Sequence, residues 1–446
     1  MEFAAELADK LYYLWFIVVL GIVVFVHEYG HYIVGRWCGI HAEVFSIGFG
    51  KELAAWTDSR GTRWRIGLLP LGGYVKFLGD ADGTSSAPDE AALAKMDPRT
   101  LRHSFHGAAV WRRALAVAAG PVFNFILSIV VFAGLAMWQG QAVPGAVVGS
   151  VTTVEGHDFG LRAGDEILSV NGAEVTGLGG LYSTAAAMPE PGPMQVTILR
   201  DGARLTEEIP YVNPPLVGWV APMSAAMGAG LRENDLITAI DGTPISSFRE
   251  LQSMVMASQD KPLSVSLLRD GAAREVTLTP VMTDIEDGQG GYVRRPVIGI
   301  SSGVPVMPEL RTPMPWEAAQ VGVERTWAVI AGSVSGIYHI IAGDVSARNL
   351  QGPLGIMQVS GDTARSGLDD LVNLLAVIST AIGFLNLMPV PVLDGGHLVF
   401  LGYEAVRGRP PADRWVEYAS GLGLAMVLML MLFATYNDVL RLIGLA

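Results

Sequence analysis

Four runs of about twenty apolar residues constrain the fold of this chain more than any other feature. They lie at residues 14–35, 116–138, 371–390 and 419–436. A helix of about 20 mostly apolar residues is long enough to cross the hydrocarbon core of a bilayer. A fifth run, Thr326–Ile341, is shorter and is interrupted by glycine and serine, so we expect an interfacial helix there. The sequence therefore predicts an α-helical membrane protein with four transmembrane helices.

The composition fits a membrane protein and excludes several other classes. Of the 446 residues, 50% are hydrophobic and only 16% are charged, whereas soluble domains average about 25% charged residues. The net charge of -13 argues against a nucleic-acid partner. The single cysteine, Cys38, excludes an intrachain disulfide and a multi-cysteine metal site. We therefore expect the lipid bilayer, and no nucleic acid, among the partners.

Charges beside the apolar runs predict how the helices cross the membrane. Glu2, Glu6 and Asp9 precede the first run, which is the wrong sign for a cleaved signal peptide. Arg36 follows the first run and Arg112 precedes the second, and basic residues favour the cytoplasmic side. The loop between these runs is therefore predicted to be cytoplasmic, and both chain termini and the long segment after the second run to be outside.

The segment between the second and third runs contains a repeat. Residues 160–172 read GLRAGDEILSVNG and residues 230–242 read GLRENDLITAIDG. Each copy predicts strands joined by tight turns, together with a helix. The pattern resembles the PDZ domains of bacterial envelope proteases, which bind extended peptides at a sheet edge. We therefore expect two α+β PDZ domains, at 141–213 and 214–304, and then a linker at 305–368 that contains the interfacial helix.

One loop of the repeat suggests a peptide site. Ile298, Gly299 and Ile300 follow the second copy and resemble the carboxylate-binding loop of a circularly permuted PDZ domain. These residues are therefore predicted to bind a peptide. The first copy runs through Pro214 and Pro215 into the second without an equivalent loop. The alternative is that both copies are rigid spacers that bind no peptide.

Ionisable residues inside the first apolar run predict a metal site. His27 and His31 are four residues apart and share one helix face, so both imidazoles can reach one Zn²⁺ ion. Glu28 lies beside them, where it can take a proton from water. Ionisable groups inside a spanning helix are costly and usually functional. The alternative is two core histidines that bind backbone carbonyls.

A catalytic zinc site needs a third protein ligand, and Asp394 is the candidate. It follows the third run, in the sequence NLMPVPVLDGGH. If that run crosses inward, Asp394 arrives on the side of His27 and His31; a crossing at Thr326–Ile341 would place it on the opposite side. The zinc site therefore favours four spans. His397 is predicted to be either a partner of the ligands or a solvated loop histidine, and the second is favoured.

Three motifs together resemble the site-2 protease family of intramembrane zinc metalloproteases. They are HEYGH at 27–31, GPVFN at 120–124 and NLMPVPVLDG at 386–395, and the tandem PDZ repeat is similar to the RseP-like (regulator of sigma-E protease) branch. The resemblance implies a bacterial inner-membrane protein with its termini and PDZ domains in the periplasm. It also implies that Asn124, Asn386 and Pro389 lie near bound substrate, although residue chemistry alone leaves Asn124 open to joining helices instead.

The family also has a membrane-re-entrant β-hairpin after the first span, and residues 44–78 resemble it. Gly67, Leu69 and Gly73 are accordingly expected to contact the substrate, because an exposed strand edge can accept an unwound segment as an added strand. The alternative is an ordinary cytoplasmic hairpin.

The resemblance implies a zinc-dependent endopeptidase. Its substrates would be single-span membrane proteins, such as an anti-sigma factor of the envelope stress response, and signal-peptide remnants. Two other classes stay open on the residues alone, namely a non-catalytic PDZ membrane scaffold and a metal transporter.

Overall fold

The computed structural model describes residues 12–81, 88–287 and 291–442, so the acidic N-terminal residues used above lie outside the described part. Two compact units share the chain. The first comprises Met1–Leu135, Pro315–Gly343 and Ala347–Ala446, and the second comprises Ala136–Met314 and Asp344–Ser346.

Helices and strands are numbered here in chain order over the described residues. The helices are α1 Tyr12–Trp37, α2 Glu90–Leu93, α3 Pro98–Leu101, α4 Val110–Gln139, α5 Leu178–Ala187, α6 Ala225–Gly228, α7 Phe248–Ser258, α8 Pro315–Ala342, α9 Pro353–Ser366, α10 Leu368–Leu387, α11 Asp394–Arg407 and α12 Asp413–Leu442. The strands are β1 Ala42–Thr57, β2 Arg63–Phe77, β3 Gln141–Ala142, β4 Val148–Val151, β5 Glu166–Val170, β6 Ala173–Glu174, β7 Met194–Arg200, β8 Ala203–Ile209, β9 Val217–Val220, β10 Leu236–Ile240, β11 Thr243–Pro244, β12 Leu263–Arg269, β13 Ala272–Leu278, β14 Val281–Glu286, β15 Tyr292–Val297, β16 Ile300–Ser302, β17 Val306–Pro308 and β18 Leu310–Arg311.

Four of the described helices are long and apolar enough to cross a membrane, namely α1, α4, α10 and α12. They cover three of the four predicted runs in full, and α10 covers the third run as far as Leu387. Helix α8 is not among them, although it has 28 residues and begins eleven residues before the predicted Thr326. It buries Ala318, Gly322 and Thr326, and a side chain at Gly322 would overlap the carbonyl of Ile129 in α4. Small residues thus bring α8 against a spanning helix.

Strands β1 and β2 form a sheet that packs on α1. Residue Ile47 pairs with Gly73 on one side and with Ile66 on the other, so the two long strands fold back into a four-segment sheet. Phe45 is fully buried in a cluster with Tyr32 of α1. Among the described residues, segment 73–77 pairs only with 42–47. Its second edge therefore has no strand partner.

The second unit contains the two repeats as two domains of the same architecture. Their sheets have the orders β6-β5-β7-β8 and β11-β10-β12-β13. One helix, α5 or α7, contributes buried residues to each core, including Leu181 and Leu251. The matching order of strands fits the predicted pair of α+β domains.

The second repeat domain is inserted into the first. Strand β16 pairs with β9 of the second domain, whereas the following strand, β17, pairs back with β4 of the first. The Tyr182 hydroxyl donates to the carbonyl of Val306 and accepts from its N–H, both at 2.9 Å. The predicted ranges, 141–213 for the first repeat domain and 305–368 for the linker, place β17 in the linker. In the structure this strand belongs to the first repeat domain, where it pairs with β4. A three-residue strand carries too little pattern to be recognised from the sequence.

A buried ion pair occupies the same position in each repeat domain. Arg200 reaches Asp165 at 2.7 Å and Arg269 reaches Asp235 at 2.6 Å. Both aspartates are almost fully buried, at 1% and 0% exposure. Each aspartate also accepts the backbone N–H three residues before it, so the pair joins the turn of the repeat motif to the end of β7 or β12.

Replacement of Arg200 by leucine is expected to destabilise the first repeat domain by about 3 kcal/mol, because Asp165 is then buried without its charge partner. Hydrogen exchange at the β5 amides of the full-length protein measures this as roughly hundredfold faster exchange. Arg204→Leu is the matched control, since Arg204 is exposed on the neighbouring strand. Equal protection in the two variants would contradict a stabilising role for the pair.

The same pair predicts a pH dependence. Hydrogen bonds from Arg200 lower the pKa of Asp165 below its ordinary value, more than burial raises it. A group whose pKa is lowered on folding contributes stability that is fully present above its unfolded pKa of about 4 and is lost as pH falls through the lowered value. The difference between wild type and Arg200→Leu should therefore shrink below about pH 4.

Candidate metal centre and catalytic site

Helix α1 presents three adjacent polar side chains to the interior of the first unit. His27 and His31 lie one turn apart, with their Nε2 atoms separated by 3.2 Å and their rings nearly perpendicular. Glu28 is buried beside them. The four-residue spacing in a continuous helix is what brings the two imidazoles onto one face.

Asp394 joins the two histidines from the opposite end of the sequence. It opens α11, directly after a turn that begins at the end of α10. A side chain at Gly395 would overlap the carbonyls of Leu387 and Met388, so glycine lets this turn fold tightly against α10. The Asp394 Oδ2 atom then lies 3.2 Å from His27 Nε2 and 3.5 Å from His31 Nε2.

These three donor atoms fit a zinc ion. Two atoms that are each about 2.0–2.1 Å from a tetrahedral zinc ion lie about 3.3–3.4 Å apart, and the three observed separations are 3.2, 3.2 and 3.5 Å. The three residues also form the candidate metal group found among the described residues. Asp394 Oδ2 is buried without a hydrogen-bond partner there. Two imidazoles and one carboxylate suit zinc.

Helix α4 supports both imidazoles from behind. His31 Nδ1 lies 2.9 Å from the backbone carbonyl of Ala116, and His27 Nδ1 lies 3.2 Å from the Asn124 carboxamide. Between these two positions is Gly120, where a Cβ atom would come within 2.5 Å of His31 Cε1 and 2.9 Å of His27 Cε1. The absence of a side chain at Gly120 therefore makes room for both rings.

A cavity of about 510 Å³ opens in front of this group. Its lining includes Glu28, Gly73, Asn386, Asp394 and His397. The open edge of segment 73–77 contributes part of the wall, and a Cβ atom at Gly73 would come within 2.8 Å of Glu28 Cγ. The cavity thus brings a strand edge next to the predicted proton acceptor.

The predicted substrate-contacting residues divide into two groups. Asn386 and Gly73 line the cavity, whereas Asn124, Pro389, Gly67 and Leu69 are not among the described residues that do so. Asn124 lies behind the histidines and is fully buried.

The favoured prediction for His397, a solvated loop histidine, is wrong. The residue lies within α11, three positions after Asp394, so the two side chains share a helix face. It is partly buried and lines the cavity. The sequence placed it in a loop because DGG after two prolines is typical of a turn, whereas the helix begins at Asp394 itself.

A second cavity, of about 300 Å³, lies in the second repeat domain. Ile298, Gly299 and Ile300 line it together with Leu251 and Val255 of α7. Gly299 has a φ of 81°, which favours glycine. The predicted peptide-binding loop therefore borders an apolar groove beside a helix.

Comparison with known proteins identifies the family. The profile of peptidase family M50 matches residues 15–430. A protein of Rhizobium meliloti described as a candidate zinc metalloprotease is 36% identical, over 98% of this chain and 99% of its own length. The regulator of sigma-E protease RseP of Escherichia coli is 33% identical, over 97% of this chain and 100% of its own length. The corresponding protease of Salmonella typhimurium is 33% identical, over 96% and 98%.

A solved PDZ domain of an SdrC-like protein from Listeria monocytogenes also aligns with part of the chain. It covers 22% of this chain and 93% of its own length, at 21% identity and a TM-score of 0.17. That likeness is too weak to support an argument about fold or function.

The fold and site define a membrane-embedded metallopeptidase, and the chain belongs to peptidase family M50. It is accordingly a zinc metalloprotease of the site-2 type. The predicted family, enzyme class and zinc cofactor are confirmed.

Proposed function

We propose that this protein is a zinc-dependent intramembrane endopeptidase in which His27, His31 and Asp394 hold the metal and Glu28 is the general base. The observation that carries the proposal is the convergence of three donor atoms, all within 3.5 Å of one another, at a cavity that Glu28 also lines. The helix that bears three of these residues is apolar enough to span a membrane.

The chemistry divides between the metal and the protein. Zinc in such a site supplies Lewis acidity, which lowers the pKa of water and polarises a carbonyl. The Glu28 carboxylate takes a proton from the attacking water and then gives it to the leaving amide nitrogen. Both transfers take place in the cavity, where Gly73 leaves space beside Glu28.

The substrate must present an extended backbone to this site, because a helix shields its own carbonyls. Within the described part of the chain, segment 73–77 has an edge without a strand partner, and residues of this segment line the cavity. An unwound substrate segment can add to that edge as a further strand. In this arrangement Gly73 and Asn386 face the scissile region, and Gly67, Leu69 and Pro389 lie along the approach to it.

The membrane orientation follows from the positive-inside rule. Arg36 and Arg112 support an orientation with the β1–β2 sheet on the cytoplasmic side, and with both termini and the repeat domains in the periplasm. Phe49, Leu53 and Leu68 on the sheet are between 42% and 62% exposed. Large exposed apolar side chains on a sheet fit re-entry into the bilayer, so the sheet acts as the re-entrant hairpin of the enzyme.

The proposed substrates are single-span proteins of the bacterial inner membrane. Relatives named regulator of sigma-E protease support an anti-sigma factor of the envelope stress response as one substrate. Signal-peptide remnants are proposed as others. The two repeat domains act as PDZ domains that exclude substrates with intact outer domains. The groove at Ile298, Gly299 and Ile300 receives an extended peptide.

Purified protein in detergent tests this proposal directly. We expect about one zinc ion per chain by elemental analysis. A single-span substrate without its outer domain should be cleaved roughly tenfold faster or more than the same substrate with a folded outer domain, because that domain clashes with the PDZ pair. Equal rates for the two substrates would contradict the size filter.

Zinc transport into liposomes without cleavage would favour a transporter, and a protein that neither binds zinc nor cleaves would favour a scaffold.

A further inference from the structure

The position of Asn124 is at odds with the substrate contact that the motif implies. Its side chain is fully buried and lies behind His27, away from the cavity. The Nδ2 atom of its carboxamide is 3.2 Å from His27 Nδ1, which is the ring nitrogen that faces away from Asp394. Asn124 is therefore placed to act on a metal ligand and not on a substrate.

The backbone of Asn124 is held from two directions. Its carbonyl accepts a hydrogen bond from the hydroxyl of Ser379 in α10 at 2.9 Å, and the hydroxyl of Ser128 in α4 is shared between this carbonyl and that of Ala376 in α10, at 2.9 Å from each. A Cβ atom at Gly383 of α10 would lie 3.1 Å from the Asn124 Cβ atom. Because α10 packs so closely against Asn124, the side chain has little freedom to move away from His27.

Three positions of α4, each four residues apart, form the surface against which the two imidazoles pack. The carbonyl of Ala116 faces His31 Nδ1, Gly120 leaves room for both rings, and the Asn124 side chain faces His27 Nδ1. The backbone carbonyl of Asn124 is already an acceptor for the Ser379 hydroxyl. At this position the contact to His27 comes from the side chain.

We propose that Asn124 is a positioning residue that holds His27 in the tautomer required for zinc binding. Because His27 Nε2 must be unprotonated to bind the metal, its proton resides on Nδ1 and needs an acceptor. Asn124 Oδ1 has no hydrogen-bond partner among the described residues. A half-turn of the carboxamide exchanges its oxygen and nitrogen at no steric cost, and Oδ1 then accepts the proton of Nδ1. The inference rests on the proposed function, since it takes His27 as a zinc ligand.

Two substitutions separate this role from packing. Asn124→Leu keeps the approximate volume but removes the acceptor, and we expect zinc affinity to fall about 10–100-fold. Asn124→Asp keeps an acceptor oxygen for Nδ1–H, and its zinc affinity should stay within about threefold of wild type. Thr380→Val is the matched control, because Thr380 is fully buried in α10 and its hydroxyl donates to the carbonyl of Ala376 in the same helix.

The measurement is competition for zinc against a chelator, with the visible spectrum of the cobalt-substituted protein as a second readout that does not depend on turnover. A loss in Asn124→Leu that Asn124→Asp restores supports the proposal. Equal losses in both variants, or wild-type affinity in Asn124→Leu, would overturn it. Asp394→Ala is measured beside them. If that variant binds zinc like wild type, the ligand assignment fails; if it loses zinc while Asn124→Leu does not, only the role of Asn124 fails.

Discussion

Glu28→Gln is expected to keep zinc and to lose cleavage. The substitution removes a proton acceptor while it preserves the size of the side chain, and general acid–base catalysis contributes about 10²–10⁴-fold to the rate. Glu28 lines the cavity but is not one of the three residues of the metal group. The zinc content of the purified variant should therefore equal that of wild type, while cleavage of a truncated single-span substrate falls by about that factor.

Glu90→Gln provides the matched control, because Glu90 is exposed on the short helix α2. It should cleave at the wild-type rate. Wild-type cleavage by Glu28→Gln would exclude the residue as the general base. A loss of zinc in Glu28→Gln would mean that Glu28 supports the metal site, and the loss of activity would then have a different cause.

The core of the site could be predicted from the sequence because its constraints are local or topological. The spacing of His27 and His31 implies a common helix face wherever the helix lies. Asp394 could be assigned from the number of spans, since only an even count of crossings returns the chain to the same side. The four spans were predictable for a related reason, because the length of an apolar run reflects the thickness of the bilayer.

Features that depend on long-range packing could not be predicted. The closing strand Val306–Pro308 of the first repeat domain is three residues long, and only its pairing with β4 reveals the insertion of one domain into the other. The role of Asn124 depends on which side of α4 faces α1. The position of His397 depends on the residue at which α11 begins. For the closing strand and for Asn124, the contacting residue lay about 90 residues or more away in the sequence.

The second large effect is expected at a residue that carries no functional group. Gly120→Ala should weaken zinc binding by about 100-fold or more and abolish cleavage. A Cβ atom at this position would overlap His31 Nε2 and would lie 2.5 Å from His31 Cε1. Metal ligands must stay within about 0.2 Å of their preferred distances, whereas this overlap forces the imidazole to move further. Overpacking of this kind also costs about 1–3 kcal/mol in stability.

The same helix offers a control that isolates the clash. Gly134 also lies in α4, and a Cβ atom there would have no neighbour within 4 Å. Gly134→Ala should therefore bind zinc and cleave like wild type, with a gain of up to about 1 kcal/mol from helix propensity. Competition for zinc against a chelator, measured on both variants, tests whether the overlap at Gly120 weakens zinc binding. If Gly120→Ala binds zinc as tightly as Gly134→Ala, then the imidazoles can shift on α1 without losing the metal. The packing surface on α4 would then not determine their geometry.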